Sequence, residues 1–236
     1  MIKIYVLNHP EGKGLLRRKY MEESLSRENI EFEFVDGYHP NDFDYEKLIK
    51  NWNIVNARFV NSHTGSRFEP IYVESTNHAP YITFPTHIGK GSISLVLKHK
   101  HCWYDQIFNK YEYVTIFEDD CEIPNNLDDI LEECISEMKE NQYDLVMLGG
   151  LPGMVSPNFA EGKKVHYHPD QKCRCTHGYI LNLDTAKIFL ETSGIINNSI
   201  DIKLNEIIQI FNLKVAWLEP ALIPIFEESL TEETGR

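Results

Sequence analysis

The stretch that most constrains this chain is Tyr113-Val-Thr-Ile-Phe117, a run of strand-forming residues with no polar phase, which leads directly into Glu118-Asp119-Asp120. A strand without polar alternation is covered on both faces, as central strands are in α/β sheets with helices on either side. Adjacent carboxylates at the end of such a strand repel one another strongly unless a cation, basic groups or water compensate. Any fold for this chain must therefore bring compensating groups to that strand end.

The flanking sequence supplies the remaining parts of an α/β architecture. Ile2 to Leu7 is a β-branched run, Asn8 to Gly14 is loop chemistry, and Leu15 to Arg27 places Leu16, Tyr20, Met21, Ser24 and Leu25 near one helical face. Glu31 to Val35 alternates polar and apolar residues before turning at Asp36-Gly37, which completes a strand-helix-strand unit. Asn8 and Asp36 then fall at carboxyl ends of strands, where open α/β sheets bind ligands. A helix is expected from Ser92, as N-cap, to Phe108. Another follows Asn126, with Leu127, Ile130, Leu131, Cys134 and Met138 as its stripe and Asp128 and Asp129 in its first turn.

Downstream, the pattern predicts a strand over Asp144 to Gly150, a loop from Pro152 to Asp170 and a strand over His177 to Leu183. A short helix is expected from an Asp184 cap to Glu191, stopped by Gly194. Ile200, Leu204, Ile207, Ile208 and Phe211 mark a second amphipathic helix, followed by a last strand over Lys214 to Leu218. We expect a single domain over residues 1–226 and a polar tail over 227–236. Residues 38–90 read as an irregular insertion with a short helix over Tyr45 to Lys50. The insertion acts as a lid or holds a hairpin around Ile71-Tyr72-Val73.

Charge narrows the function. The chain has 23 Lys+Arg against 36 Asp+Glu, a net charge of −13, which disfavours duplex nucleic acid as a partner. Eleven acids fall between Glu118 and Asp144 against one base, Lys139. An acidic protein can still bind a phosphorylated small molecule through a metal that its carboxylates hold. The five cysteines are odd in number and lack framework spacing, so reduced thiols and a cytoplasmic location are expected, with Cys173-x-Cys175 read as two ordinary thiols. No secretory signal or transmembrane segment is recognisable, and the Asn197 sequon carries no weight without one.

Acids that follow a buried strand suit Mg²⁺ or Mn²⁺, hard cations that take one or two carboxylates from protein and the rest from phosphate and water. Such a cation neutralises a departing diphosphate. An isolated Glu-Asp-Asp is more often a solvated turn, and the strand in front of it shifts the balance toward a cation site.

Tyr113-Val-Thr-Ile-Phe-Glu-Asp-Asp-Cys121, preceded by Leu97-Lys98-His99 and followed by Asp144-Leu-Val-Met-Leu-Gly149, resembles the glycosyltransferase family 25 domain, a group that includes lipooligosaccharide and procollagen galactosyltransferases. The resemblance extends to Ile4 to Asn8, Leu15-Leu16-Arg17-Arg18 and Phe34-Val35-Asp36-Gly37. It continues through Gly178 to Ala186, Ile200-Asp201 and Glu219 to Ile223, and is poorest over 38–90. It implies a GT-A-like fold with a mixed, mostly parallel sheet between helices. It also implies a UDP-sugar donor, Mn²⁺ or Mg²⁺, and inverting transfer of a sugar to a hydroxyl on a glycan or protein acceptor. Galactose is the first choice of sugar, glucose or xylose the next.

In that pattern Glu118-Asp119-Asp120 stands as the Asp-x-Asp motif, with Asp120 on the metal, Glu118 on the metal or near the donor ribose, and Asp119 on the donor. Asn8, Arg17, Arg18, Asp36 and His99 are further donor-binding candidates. The chain departs from the family by carrying Ser94-Leu95 and Lys98 on the helix before the motif. Glu227 is the nearest match to a family histidine, and so a candidate third ligand. Inverting transfer needs a base within hydrogen-bond reach of the acceptor hydroxyl. Asp201 is the first candidate and Glu206 the second, although Asp201 equally suits a helix first turn. Tyr179 and Trp217 read as core, and the spacing of His166, His168 and His177 does not by itself favour ligation. The alternatives are another metal-dependent phosphoryl or nucleotidyl transferase, and a noncatalytic carbohydrate-binding relative.

Overall fold

The structure, a computed structural model, describes residues 2–40, 89–194, 196 and 198–224. The expected helix at 45–50, the alternative hairpin at 71–73, Asn197, Glu227 and the 227–236 tail lie outside the described residues.

Seven strands and five helices are described: β1 (Lys3–Leu7), α1 (Lys13–Arg27), β2 (Glu33–Val35), α2 (Lys90–Asn109), β3 (Tyr113–Glu118), α3 (Leu127–Asn141), β4 (Leu145–Gly149), β5 (Val165–Tyr167), β6 (Gly178–Asn182), α4 (Leu183–Thr192), α5 (Ile200–Phe211) and β7 (Val215–Leu222). The strands form one sheet in the order β2-β1-β3-β6-β4-β7-β5. β1 pairs in parallel with β2 and β3, and β4 pairs in parallel with β7, while β6 runs against β3 and β4 and β5 runs against β7. This is the mixed, mostly parallel sheet between helices that a GT-A-like fold requires.

The period of two along β1 divides the core. Ile4 and Val6 pack on one face with Met21 and Leu25 of α1 and Leu127 and Leu131 of α3. Tyr5 and Leu7 pack on the other with Ile93 and Leu97 of α2, Phe189 of α4 and Leu204 of α5. β3 is buried from Val114 to Phe117, as its lack of polar phase demanded. No helix among the described residues is long and apolar enough to cross a membrane.

Several boundaries differ from expectation. α2 starts at Lys90 after Gly89 in extended conformation, so Ser92 lies inside the helix and is not its cap. α4 is capped by Asn182, whose side chain accepts from Thr185 N, because Asn182 ends β6 with the extended backbone a cap needs; Asp184 instead pairs with Lys187 in the first turn. The expected Pro152 to Asp170 loop contains β5, at three residues too short to show a period. β7 continues past Leu218 because Pro220 falls beyond the last β5 pair, where the ladder with β4 is already bulged.

Candidate active site

β2, β1 and β3 end side by side, with Leu7 opposite both Val35 and Glu118, so Asn8, Asp36 and Asp119 emerge along one edge of the sheet. The acidic turn is stitched to both neighbours. Glu118 N donates to His177 O (2.8 Å) and Asp119 N donates to Leu7 O (3.1 Å). The three acids then divide their work.

Asp119 is buried, and both of its oxygens are engaged. Oδ2 accepts from Asn8 Nδ2 (2.8 Å) and His9 N (3.3 Å), and Oδ1 accepts from Arg17 (3.2 Å). Burial pushes its carboxyl up, and Arg17, Asn8 and His9 offset only part of that. These contacts make Asp119 a clamp on the β1–α1 loop. Arg17 is 3% exposed and also reaches Asp120 Oδ2 (3.3 Å), which commits it to the acidic turn. Arg18 lies over the Phe34 ring and pairs with Glu22 and Asp36 (2.6 Å to the latter), which braces α1 against the end of β2.

Glu118, Asp120 and His177 form the second arrangement, each offering a ligand atom within 4.8 Å of the others. Burial and the neighbouring Glu118 push the Asp120 carboxyl up to about 6. Burial acts on Glu118 in the same sense, but His99, His177 and the Thr176 hydroxyl hold it below the ordinary carboxylate range. Asp120 Oδ1 and His177 Nδ1 are buried with no hydrogen-bond partner among the described residues. Two crowded carboxylates and an imidazole with unused lone pairs are the donor set a divalent cation relieves, so these residues fit Mn²⁺ or Mg²⁺.

Close packing fixes His177. A Cβ at Gly178 would lie 2.9 Å from the Phe117 ring, and one at Gly149 would lie 2.8 Å from Gly178 N and His177 Cβ. The strand start carrying His177 thus passes between β3 and β4 only because both positions lack side chains.

Behind the cluster, Trp103 Nε1 donates to Tyr179 Oη (3.1 Å), and Tyr179 Oη lies 2.8 Å from His99 Nδ1. With Trp103 donating to its oxygen, Tyr179 is free to donate to Nδ1, which leaves the imidazole proton on Nε2, 3.8 Å from Glu118. His99 supports a ligand candidate electrostatically, and Tyr179 is core, as expected. Trp217 is core too. Lys98 is 4% exposed and donates to Asn8 O between the ends of β1 and β2. Burial pushes its ammonium down to about 8, against the pull of Asp119 and Asp36. Asn8 Oδ1 and Asp36 Oδ1 are buried and have no partner among the described residues, two acceptors aligned on one sheet edge.

A cavity of about 180 Å³ is lined by Ser92, Leu95, Glu118, Thr176, Ser199 and Asp201. It brings Asp201, at the start of α5, into the same cavity as Glu118. Ser199 Oγ donates to Asp201 Oδ1 (2.6 Å) and orients the carboxylate. Glu206 does not join this wall; its oxygens hold Asn198 (2.8 Å) and Lys203 (3.2 Å). Larger hollows of about 550 and 810 Å³ lie at the opposite, amino ends of the strands, around Ile2 and Glu31, away from every candidate group.

Sequence reasoning did not favour His177 as a ligand and did not consider Thr176. Their one available signal was position, immediately before a strand that has to lie beside β3. His166 bonds Asn158 O and Lys163 O, and His168 packs on Trp217. Cys173 Sγ donates to Cys175 O, and all five cysteines are free.

The model of glycosyltransferase family 25 (LPS biosynthesis protein) matches residues 1–204. Among solved structures, a putative nucleotide-diphospho-sugar transferase from Desulfovibrio desulfuricans G20 is 15% identical, with 95% of this chain and 83% of that chain covered and a TM-score of 0.45. A glycosyltransferase involved in glycosylation of the major capsid of PBCV-1 is 10% identical, with 99% and 97% covered and a TM-score of 0.46. An apo UDP-glucose pyrophosphorylase is 13% identical, with 95% and 92% covered and a TM-score of 0.45. No curated protein matches.

Proposed function

The chain belongs to glycosyltransferase family 25, and from that premise we propose that it moves a sugar from a UDP-sugar to an acceptor hydroxyl on a glycan or protein, with metal dependence and inversion. Galactose is the first sugar to test, glucose and xylose the next. The observation that carries the reading is the clustering of Glu118, Asp120 and His177, of which Glu118 also lines a cavity that Asp201 lines.

The edge formed by β2, β1 and β3 is the donor end. Asn8 Oδ1 and Asp36 Oδ1 are acceptors, suited to the N–H of a uracil and the hydroxyls of a ribose. Lys98 adds positive charge between them. Glu118, Asp120 and His177 would hold the cation, while Glu227 stays a further candidate ligand. When bound, the cation acts as a Lewis acid that neutralises the leaving diphosphate. His99 steadies the Glu118 carboxylate, and Arg17 with Asp119 fixes the turn on which both acids stand.

Asp201 takes the proton from the acceptor hydroxyl as the new glycosidic bond forms, which requires it to be ionised and within hydrogen-bond reach. Its hydrogen bond from Ser199 sets the direction of the carboxylate. Glu206 is the weaker candidate for this task because its carboxylate is engaged by Asn198 and Lys203 and does not line the cavity.

The test is a screen of UDP-sugars with Mn²⁺ for hydrolysis or transfer, comparing the wild type with Asp120→Ala. We expect turnover that chelator abolishes and that falls by about 10³-fold or more in the variant, the scale of losing one preorganised electrostatic contact at a transition state. Equal, metal-independent turnover by both proteins removes the proposal.

A further inference from the structure

A second group of imidazoles and a carboxylate lies outside that site, where the chain leaving β1 meets the chain leaving β2. His9 and His39 stack with ring centroids 4.7 Å apart and an interplanar angle of 20°. His39 Nε2 lies 3.2 Å from Glu11 Oε2, and one ligand atom from each of His9, Glu11 and His39 falls within 4.8 Å of the others. We propose that His9, Glu11 and His39 form a site for a transition-metal ion of the Zn²⁺ class, distinct from Glu118-Asp120-His177, which pins the β1–α1 loop to the segment after β2.

The donor chemistry selects the ion. Two imidazoles and one carboxylate are borderline ligands that favour Zn²⁺ over Mg²⁺ or Ca²⁺, and zinc accepts three protein ligands with water completing the tetrahedron. At zinc bond lengths neighbouring ligand atoms sit about 3.3 Å apart, and the His39–Glu11 edge already has that spacing. Burial, together with the neighbouring His39 and Lys98, pushes the His9 imidazole below its usual value, toward the neutral form that ligates. An ion pair between His39 and Glu11 explains one edge of the triangle and leaves the second imidazole, stacked within reach of both, without a reason.

The backbone holds the donors from three directions. His9 N donates to Asp119 Oδ2 (3.3 Å). A Cβ at Gly14 would fall 1.7 Å from His9 O, so the loop closes tightly and brings Glu11 back beside His9. Tyr38, just before His39, has φ of 62°, a left-handed conformation that side chains rarely adopt. It is secured by Ser94 Oγ donating to Tyr38 O and by the Tyr38 hydroxyl at 3.3 Å from His101 Nδ1. Glu11 is largely exposed, leaving its carboxylate free to swing onto an ion.

The test is Zn²⁺ binding by equilibrium dialysis to the full chain after stripping with chelator. Asp120→Ala is expected to retain one equivalent, and adding His9→Gln and His39→Gln to it is expected to abolish that equivalent. Glu11→Gln in the Asp120→Ala background should weaken Zn²⁺ by about 10-fold or more. Its melting temperature in chelator should not change, which separates loss of a ligand from loss of the fold. No bound Zn²⁺ in Asp120→Ala, or an equivalent that survives removal of both imidazoles or is indifferent to Glu11→Gln, overturns the site. Because every arm after the first is read without Asp120, failure here leaves the glycosyltransfer reading standing, and failure there leaves this one.

Discussion

Arg174 and Arg17 are both buried guanidiniums in this sheet, yet they stand in opposite surroundings. Arg174 donates to Gly149 O (3.1 Å), Met154 O (3.0 Å), Leu218 O (2.6 Å) and Glu219 (2.7 Å), and its guanidinium lies over the Trp217 ring. Glu219 also accepts from Ser156 N (2.7 Å), so the network closes on backbone and carboxylate within the β4–β7 half. Arg17 instead shares itself between Asp119 and Asp120, in a neighbourhood where Asp120 Oδ1, His177 Nδ1, Asn8 Oδ1 and Asp36 Oδ1 have no partners among the described residues. Native proteins satisfy nearly all buried polar groups, and a concentration of exceptions marks a place where something else binds. In the β4–β7 half Arg174 and Glu219 are paired and Ser156 Oγ and His168 Nδ1 are unpartnered among the described residues, while at the carboxyl ends of β2, β1 and β3 the unpartnered atoms belong to the acidic turn and its neighbours.

The sharpest way to break this comparison is to remove a charge from each half. Arg174→Met should lose about 3–5 kcal/mol of stability, since it strands Glu219 as an unpaired buried charge. Asp120→Ala should leave stability within about 1 kcal/mol of the wild type, or raise it, because it relieves repulsion with Glu118. Urea unfolding measures both. If Arg174→Met is as stable as Asp120→Ala, the β4–β7 half is not a closed network in the sense argued above.

A second pair of substitutions tests the open side. Asp201→Asn should lower the turnover of sugar transfer by about 10²–10⁴-fold, the range for a lost general base, while the KM for the donor changes little. Glu206→Gln should stay within about 3-fold, since its carboxylate serves Asn198 and Lys203 and the amide oxygen can still accept from Asn198. Steady-state kinetics on both variants with one donor and acceptor decide between them. Near-wild-type turnover in Asp201→Asn places the base elsewhere.

Sequence reasoning located the open half through its period and its acids. β1, α1, β3 and α3 announce themselves by runs of apolar residues at spacing two or near 3.6, and Glu118-Asp119-Asp120 follows directly from where β3 ends. It failed where a role depends on long-range register. Nothing local separates Asp119 from its neighbours, because its inward clamp exists only once Arg17 and Asn8 arrive from β1 and α1. His177 joins Glu118 only because β6 runs antiparallel beside β3, a pairing across 59 residues between Glu118 and His177 (177 − 118). β5 and the end of β7 were misjudged for the reason that short strands and prolines are read locally, while their pairing is settled by the strands beside them.

The smallest expected effect concerns a residue of the open half that is retained at a cost. Lys98 is buried with its ammonium pushed down to about 8, mainly by burial. An unfolded lysine stays protonated to about 10.4. Below pH 8 both states are charged and the full penalty falls on the folded chain; between about 8 and 10.4 the unfolded state binds more protons, so native stability rises with pH through this window. Lys98→Met, which also forfeits the hydrogen bond to Asn8 O, should therefore be more stable than the wild type near pH 7 by about 1 kcal/mol, after subtracting about 1 kcal/mol for that bond. The advantage should shrink and reverse toward pH 10, as followed by denaturant melts at each pH. If the two stabilities run parallel across that range, Lys98 is not titrating in the fold. If instead the gap closes and UDP binding also weakens in the variant, the stability lost to a buried ammonium has a reason in the donor end of the sheet, and Lys98 belongs with Asn8 and Asp36 on the open side.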